Sequence, residues 1–266
     1  MNYKLIAVDL DDTLLDDRCR ISPRSKDVIQ QAQAKGVQVT LATGRMYRSA
    51  LPFALDLHID VPLITYQGSL VKTSVTKEIL YHRTVPAELA KEVVALGERE
   101  DLSINVYLDD DLYVHKITSE VRTYCRLARV PYQEVGNLSS ILDRDPTKLL
   151  FIGAAEKLDH LWIKVKKIFG DRLYITKSKP QYLEFTHPQG TKGHGLSAVA
   201  RHLGVQKEEI IAFGDSFNDL ELFRNAGFAV AMANARDEIK KEAHYVTGSN
   251  NEEGVARAIE KFVLCS

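Results

Sequence analysis

Residues Lys4 to Val8 form a short apolar run of strand formers that stops abruptly at Asp9. Helices and strands then alternate in a regular rhythm. Ser22 reads as a helix N-cap with Pro23 at the first helical position, and the helical stretch runs to about Lys35, where Gly36 supplies the stop. A second apolar strand, Val37 to Leu41, runs into Ala42-Thr43-Gly44-Arg45; a helix over Tyr47 to Leu57 and a strand over Pro62 to Tyr66 come next. Strands alternating with helices in this way require a parallel sheet covered by helices, because parallel neighbours can be joined only by crossovers.

The rhythm returns at the end of the chain. A helix over Lys192 to Leu203 precedes the strand Ile210 to Phe213, which runs into Gly214-Asp215; a helix over Asp219 to Asn225, a strand over Phe228 to Ala231 and a helix over Glu252 to Val263 follow. Between about Val85 and Phe185 the pattern changes. Ile104 to His115 has two strand-like halves around Asp109-Asp110-Asp111 and reads as a hairpin with a solvated turn, and Leu149 to Ile152 and Tyr182 to Phe185 are further strands. The expectation is an α/β protein with a discontinuous Rossmann-like core, residues 1–83 and 187–266, and an inserted α+β domain, residues 84–186.

Four features fall where a strand ends or a helix begins: Asp9-Leu10-Asp11-Asp12-Thr13, Thr43-Gly44-Arg45, Lys192, and Gly214-Asp215-Ser216-Phe217-Asn218-Asp219. Ligands of open parallel sheets bind outside the carboxyl ends of the strands, so all four can meet in one crevice. Crowded carboxylates need a cation, and hard oxygen ligands select Mg²⁺, which typically takes one or two protein carboxylates plus substrate phosphate. Asp9 and Asp215 meet that demand, while Thr43, backbone N–H groups and Lys192 supply donors for phosphate oxygens. A carboxylate can also be the nucleophile and form an aspartyl-phosphate. Residues two apart on an extended strand point the same way, which would set Asp11 beside Asp9 as general acid and base.

This set resembles the haloacid dehalogenase-like (HAD) hydrolase superfamily, specifically its Cof-type phosphatases. Asp9, Asp11 and Thr13 match the first motif, Asp-x-Asp-x-Thr; Thr43 matches the second, Lys192 the third, and Gly214, Asp215, Asn218 and Asp219 the fourth. The resemblance spans essentially the whole chain, including a cap inserted between the second and third motifs. It implies that Asp9 is nucleophile and metal ligand, that Asp11 is the acid/base with its backbone carbonyl on the metal, and that Asp215 is a metal ligand. Asp219 would act through water or from behind, and Leu10 N–H, Thr43, Gly44, Lys192 and Asn218 would hold the phosphate. Asp12 stands where glycine is frequent, and Gln67 where Asn is usual before Gly68. The implied reaction is Mg²⁺-dependent hydrolysis of a small phosphorylated metabolite, a sugar phosphate or similar monoester. A phosphomutase and a non-catalytic phosphate-binding protein are the alternatives.

Composition narrows the field further. With 35 basic and 36 acidic residues the chain lacks the basic footprint of a nucleic-acid binder. No stretch has the apolar length of a membrane span, and the acidic cluster at Asp9–Asp12 interrupts any secretory apolar segment. Cys19, Cys125 and Cys265 are odd in number and far apart, which fits reduced thiols in a cytoplasmic protein, monomer or small homo-oligomer. Gly193-x-Gly195-x-x-Ala198 imitates a dinucleotide fingerprint, but seven residues separate it from Phe185, whereas the fingerprint follows its strand directly. Trp162 reads as a packing residue, and Tyr47 and Arg48 as residues near enough to the second motif to approach substrate.

Overall fold

The computed structural model describes residues 3–265. Strand β1 (Leu5–Val8) leads through a wide turn and a loop to helix α1 (Pro23–Ala34), β2 (Gln38–Leu41), α2 (Tyr47–Asp56) and β3 (Leu63–Thr65). As expected, Ser22 caps α1: its hydroxyl accepts from Ser25 N at 3.0 Å. A hairpin that the sequence pattern did not reveal comes next, β4 (Leu70–Lys72) and β5 (Ile79–His82), with β4 antiparallel both to β3 and to β5. Three- and four-residue strands are too short for a period-2 signal to stand out.

The following segment holds α3 (Ala87–Arg99), β6 (Ser103–Leu108), β7 (Asp111–Val114), α4 (Ser119–Ala128), β8 (Gln133–Glu134), β9 (Lys148–Ile152), α5 (Ala155–Phe169), β10 (Tyr174–Lys179) and β11 (Tyr182–Thr186). Its six strands order as β10-β11-β9-β6-β7-β8 and pair antiparallel except for β7 with β8. The chain closes with α6 (Lys192–Leu203), β12 (Ile210–Gly214), α7 (Leu220–Arg224), β13 (Phe228–Ala231), α8 (Asp237–Lys240), β14 (Tyr245–Val246) and α9 (Gly254–Ile259).

Strands β14-β13-β12-β1-β2 form one parallel sheet in that order, and a bridge from Ala42 to Ile64 sets β3 beside it. Both faces of β1 are buried, as in covered parallel sheets. Ile6 and Val8 pack with Val28, Ile29 and Ile259 on one side, and Leu5 and Ala7 with Leu196, Val199 and Leu222 on the other. Strand β9 alternates instead. Leu149 and Phe151 join Val93, Val94, Leu158 and Val165 in a separate core beneath α3 and α5. Leu150 and Ile152 face the other way, toward the carboxyl ends of the parallel strands.

Register explains how distant residues meet. In adjacent strands Val8 pairs with Phe213 on one side and Leu41 on the other, so the three strands finish level. Asp9, Thr43 and Asp215 therefore leave the sheet at one edge. The start of α6 is brought there by Gly68, whose φ of +101° is left-handed. A Cβ at Gly68 would fall on the Thr191 carbonyl, far inside van der Waals contact. Gly68→Ala should thus cost about 3 kcal/mol or more from combined strain and backbone collision. For a chain of this size that is a fall of roughly 6 °C or more in Tm by calorimetry; an unchanged Tm would refute the close approach.

The glycines that imitate a dinucleotide fingerprint have the same kind of explanation. A Cβ on Gly193 would meet the Glu221 carbonyl and the Asn225 side chain, and one on Gly195 would meet Ile64. They seat α6 against α7 and β3.

Candidate active site

Asp9 is extended (φ −69°, ψ 155°), but the chain does not continue as a strand. It folds into a wide turn in which Leu14 N and Leu15 N donate to the carbonyls of Asp9 and Leu10, with Asp12 left-handed at φ 58°. This corrects the reasoning from strand alternation. Asp11 borders the same cavity as Asp9 because of the turn. The positive φ also gives a physical reason for glycine's compatibility with the Asp12 position.

Lys192 and Asp219 lie beneath the crevice at 0% exposure. The Lys192 ammonium sits between Asp9 Oδ1 at 2.8 Å and Asp219 Oδ1 at 2.6 Å. The second oxygen of Asp219 accepts from the backbone N–H groups of Asp215 and Ser216, each at 3.0 Å, which locks the turn after β12. Asp215 Oδ1 accepts from the Thr13 hydroxyl at 2.8 Å. Carboxylate oxygens of Asp9, Asp215 and Asp219 come within 4.8 Å of one another. Three carboxylates against one ammonium leave a double negative charge, which one divalent cation would balance.

Burial pushes the Asp9 carboxyl well up, opposed by Lys192 and reinforced by Asp219 and Asp215. Burial and then Asp219 push Asp215 up to about 7. Burial works against the Lys192 charge, but Asp219 and Asp9 outweigh it and hold the ammonium protonated. These are the signs expected of a carboxylate cluster suited to a cation. Because Asp215 is raised in the folded state, its neutral form favours the metal-free fold at low pH, and this contribution is lost as pH rises through about 7. Proton and cation compete for the same oxygens. The Mg²⁺ concentration that half-saturates a thermal-shift titration should be about tenfold higher at pH 6 than at pH 8. A pH-independent midpoint would show that Asp215 takes no part.

Asp11 is held differently. Arg45 clamps it with Nε to Oδ2 at 2.8 Å and Nη2 to Oδ1 at 2.7 Å, and also donates to Ser49 Oγ at 3.1 Å. Burial pushes the Asp11 carboxyl up, yet the hydrogen bonds and charge of Arg45 bring it below the usual range. Its side chain is not a member of the three-carboxylate cluster. Arg45 lies within a motif the sequence made visible, but nothing in the spacing showed which acid it would meet.

A cavity of about 230 Å³ lies over these groups. Asp9, Asp11, Thr43, Gly44 and Asn218 line it from the parallel sheet, and Tyr124, Leu127, Lys148, Lys179, Tyr182 and Glu184 from the inserted segment. Asp215 borders a neighbouring cavity of about 190 Å³ instead, together with Trp162, Lys177 and Arg236. The Leu10 side chain is wholly buried, so only its backbone can serve a ligand. Two contacts tie the segment to the motifs: Lys148 Nζ donates to the Gly44 carbonyl at 2.6 Å and pairs with buried Glu184 at 2.7 Å, and Lys179 pairs with Asp12 at 3.1 Å.

Three further expectations meet the structure here. The Asp109–Asp111 turn is not simply solvated: Asp110 accepts from Tyr66 Oη at 2.7 Å and from Arg48 N at 3.2 Å, and Asp111 pairs with Arg48 at 3.0 Å. Arg48 is therefore occupied by the inserted segment. Tyr47 is buried with its hydroxyl on the Thr73 carbonyl at 2.7 Å, and neither residue borders the main cavity. Trp162 does pack, edge-on to Phe217 within the fourth motif.

Residues 6–259 match the model of a family described as haloacid dehalogenase-like hydrolase. A 5-amino-6-(5-phospho-D-ribitylamino)uracil phosphatase of Bacillus subtilis is 32% identical over 267 residues, covering 99% of this chain and 97% of that one. An HMP-PP phosphatase of Serratia proteamaculans is 31% identical, covering 90% and 86%. Among solved structures, a haloacid dehalogenase-like hydrolase from Bacteroides thetaiotaomicron superimposes with a TM-score of 0.87 at 30% identity, covering 98% of this chain and 99% of that one.

Proposed function

The chain belongs to the haloacid dehalogenase-like hydrolase family, and on that premise we propose that it is a Mg²⁺-dependent phosphatase acting on small phosphorylated metabolites, sugar phosphates or similar monoesters. The observation that carries this reading is the convergence of Asp9, Asp11, Thr43, Lys192, Asp215 and Asn218 at one sheet edge beside a cavity. The relatives named as phosphatases of phosphorylated small molecules support the substrate class.

Asp9 and Asp215, with the Asp11 backbone carbonyl, would hold the ion, and Asp219 would support it through water or through Lys192. When bound, the ion supplies charge neutralisation and alignment of the phosphoryl oxygens. Asp9 attacks phosphorus through a carboxylate oxygen, and the bond to the leaving oxygen breaks as the aspartyl-phosphate forms. Asp11 must leave the Arg45 clamp and take up a proton from solvent as substrate binds; it gives that proton to the departing alkoxide, and the carboxylate then takes one from the water that attacks the intermediate, restoring Asp9 and releasing phosphate. The Leu10 and Gly44 backbone, Thr43 and Asn218 would supply donors to the phosphoryl oxygens, and Lys192, buried between Asp9 and Asp219, would supply positive charge beneath them.

Residues 84–186 act as a cap over a core of residues 1–83 and 187–266. Their own apolar core supports that division, and Lys148 and Lys179 bring the cap against the motifs. Closure excludes bulk water, and the cap side of the cavity meets the leaving group. No helix among the described residues is long and apolar enough to cross a membrane. Cys19, Cys125 and Cys265 are unpaired, which supports a cytoplasmic protein.

Phosphate release from a broad panel of phosphorylated metabolites, with Mg²⁺ and with EDTA, tests the reading. Release with Mg²⁺ that EDTA abolishes is the expected result. Isomerised phosphosugar without free phosphate would indicate a mutase, and full activity in EDTA would overturn the metal dependence.

A further inference from the structure

The turn Tyr66-Gln67-Gly68 holds three successive residues at positive φ, 52°, 62° and 101°. Backbone held this way costs free energy and persists only where the surroundings dictate it. What the strain achieves here is the placement of one side chain. Gln67 is 0% exposed, its N–H donates to the Thr43 carbonyl at 3.1 Å, and its side-chain amide fills the space beside Gly44, where a Cβ would collide with it. Gln67 Oε1 accepts from Asn218 Nδ2 at 2.9 Å. The remaining atoms of the two amides, Gln67 Nε2 and Asn218 Oδ1, are buried and have no partner. Buried groups of this kind are rare in proteins, and an unused N–H donor costs more than an unused carbonyl.

An amide keeps its shape when its oxygen and nitrogen exchange places. The pair therefore has two hydrogen-bonding states of one outline: Asn218 donating to Gln67, or Gln67 donating to Asn218. The second pairs the two atoms that now lack a partner and leaves Gln67 Oε1 and Asn218 Nδ2 without one, so the two states differ in which group is left free for a ligand. The second frees the Asn218 NH₂, and Asn218 is the member of the pair that borders the cavity. A phosphate dianion offers acceptors alone, so a phosphate in the cavity favours the state in which Asn218 presents N–H groups.

We propose that Gln67 is a positioning residue for phosphate: it reverses its hydrogen bond with Asn218 as the phosphoryl group enters, supplying the donor that holds Asn218 with its NH₂ toward the ligand. This rests on the phosphatase reading, and it gives a role to the position where the chain departs from the Asn usual in Cof-type sequences.

Three variants test it with p-nitrophenyl phosphate as substrate and inorganic phosphate as competitive inhibitor, in Mg²⁺. Gln67→Met keeps the length and removes the amide; kcat/KM should fall about tenfold and inhibition by phosphate should weaken in step, the size expected for one buried hydrogen bond. Gln67→Glu can only accept while ionised and fixes the wrong state. Its activity relative to wild type should be lowest at high pH and recover as pH falls and the neutral acid regains a donor, a profile that a packing role would not produce. In an Asn218→Ala background Gln67→Met should have little further effect, because the two act as a unit. Unchanged phosphate inhibition in Gln67→Met, a Glu variant whose ratio to wild type is flat with pH, or additive losses in the double variant would each overturn the inference while wild type stays active. A wild type that neither hydrolyses the ester nor binds phosphate would overturn both this and the phosphatase reading.

Discussion

Asp9→Asn should abolish steady-state phosphate release, with kcat down by about 10⁴-fold or more, because on the proposed mechanism it removes the atom that attacks phosphorus while keeping nearly the same shape. The fold should survive. In the metal-free protein the Asp9 charge is opposed by burial and by Asp219 and Asp215, with Lys192 as its one strong support. Lys192 keeps Asp219 at 2.6 Å after the change. A neutral amide therefore loses an ion pair and sheds two repulsions, and Tm should move by no more than a few degrees. The Mg²⁺-induced rise in Tm should shrink, since one of three clustered carboxylates is gone. The measurement is phosphate release across the panel beside thermal melts with and without Mg²⁺. A variant with wild-type melting and more than a few per cent of wild-type turnover would remove Asp9 from the nucleophile's role.

Asp11→Asn should act on a different step. Its partner Arg45 clamps the carboxylate through two nitrogens and holds it ionised, the form suited to accepting a proton from water. Loss of an acid/base group of this kind typically costs 10²–10⁴-fold, so turnover of an alkyl phosphate should fall by about 10³-fold. p-Nitrophenolate leaves without a proton, so with that ester the first transfer should persist. Rapid mixing should then show a burst approaching one equivalent of p-nitrophenol per enzyme, followed by a stall while the aspartyl-phosphate waits for an activated water. The substitution also leaves the Arg45 guanidinium, 9% exposed, without its anion. That should cost about 2 kcal/mol, or roughly 5 °C in Tm. A variant with unaltered steady turnover on alkyl phosphates would remove Asp11 from proton transfer. A stall without a burst would place its essential role before the intermediate.

Much of the molecule was legible in the sequence because the features concerned are local. Short strand-forming runs that stop at Asp9, Ala42-Thr43 and Gly214-Asp215 state a strand and its end together, and Lys192–Leu203 begins and ends where its cap and Gly204 require. The short hairpin Leu70–His82 was not legible: its strands are three and four residues long, β4 is buried on both faces and β5 is half-buried or exposed throughout, so neither shows an alternating pattern. The acids of Asp109–Asp111 looked like a turn and are one, yet their contact with Arg48 and Tyr66 depends on how the inserted segment sits on α2.

The site divides along the same line. The sequence by itself picked out the candidate groups, since carboxylates, a lysine and a threonine at strand ends point to metal and phosphate through their type and topological position. Tertiary structure decided who holds whom. Asp219 rather than Asp215 shares Lys192, Asp215 turns to Thr13, Arg45 takes Asp11, and Gln67 takes Asn218 across 151 positions of chain. The physical reason is range. Residue type and backbone periodicity act over a few neighbours, whereas a hydrogen bond or ion pair of 2.6–2.9 Å depends on the level register of β12, β1 and β2 and on the close approach at Gly68. A shift of one residue in either would leave every motif readable and would separate the pairs.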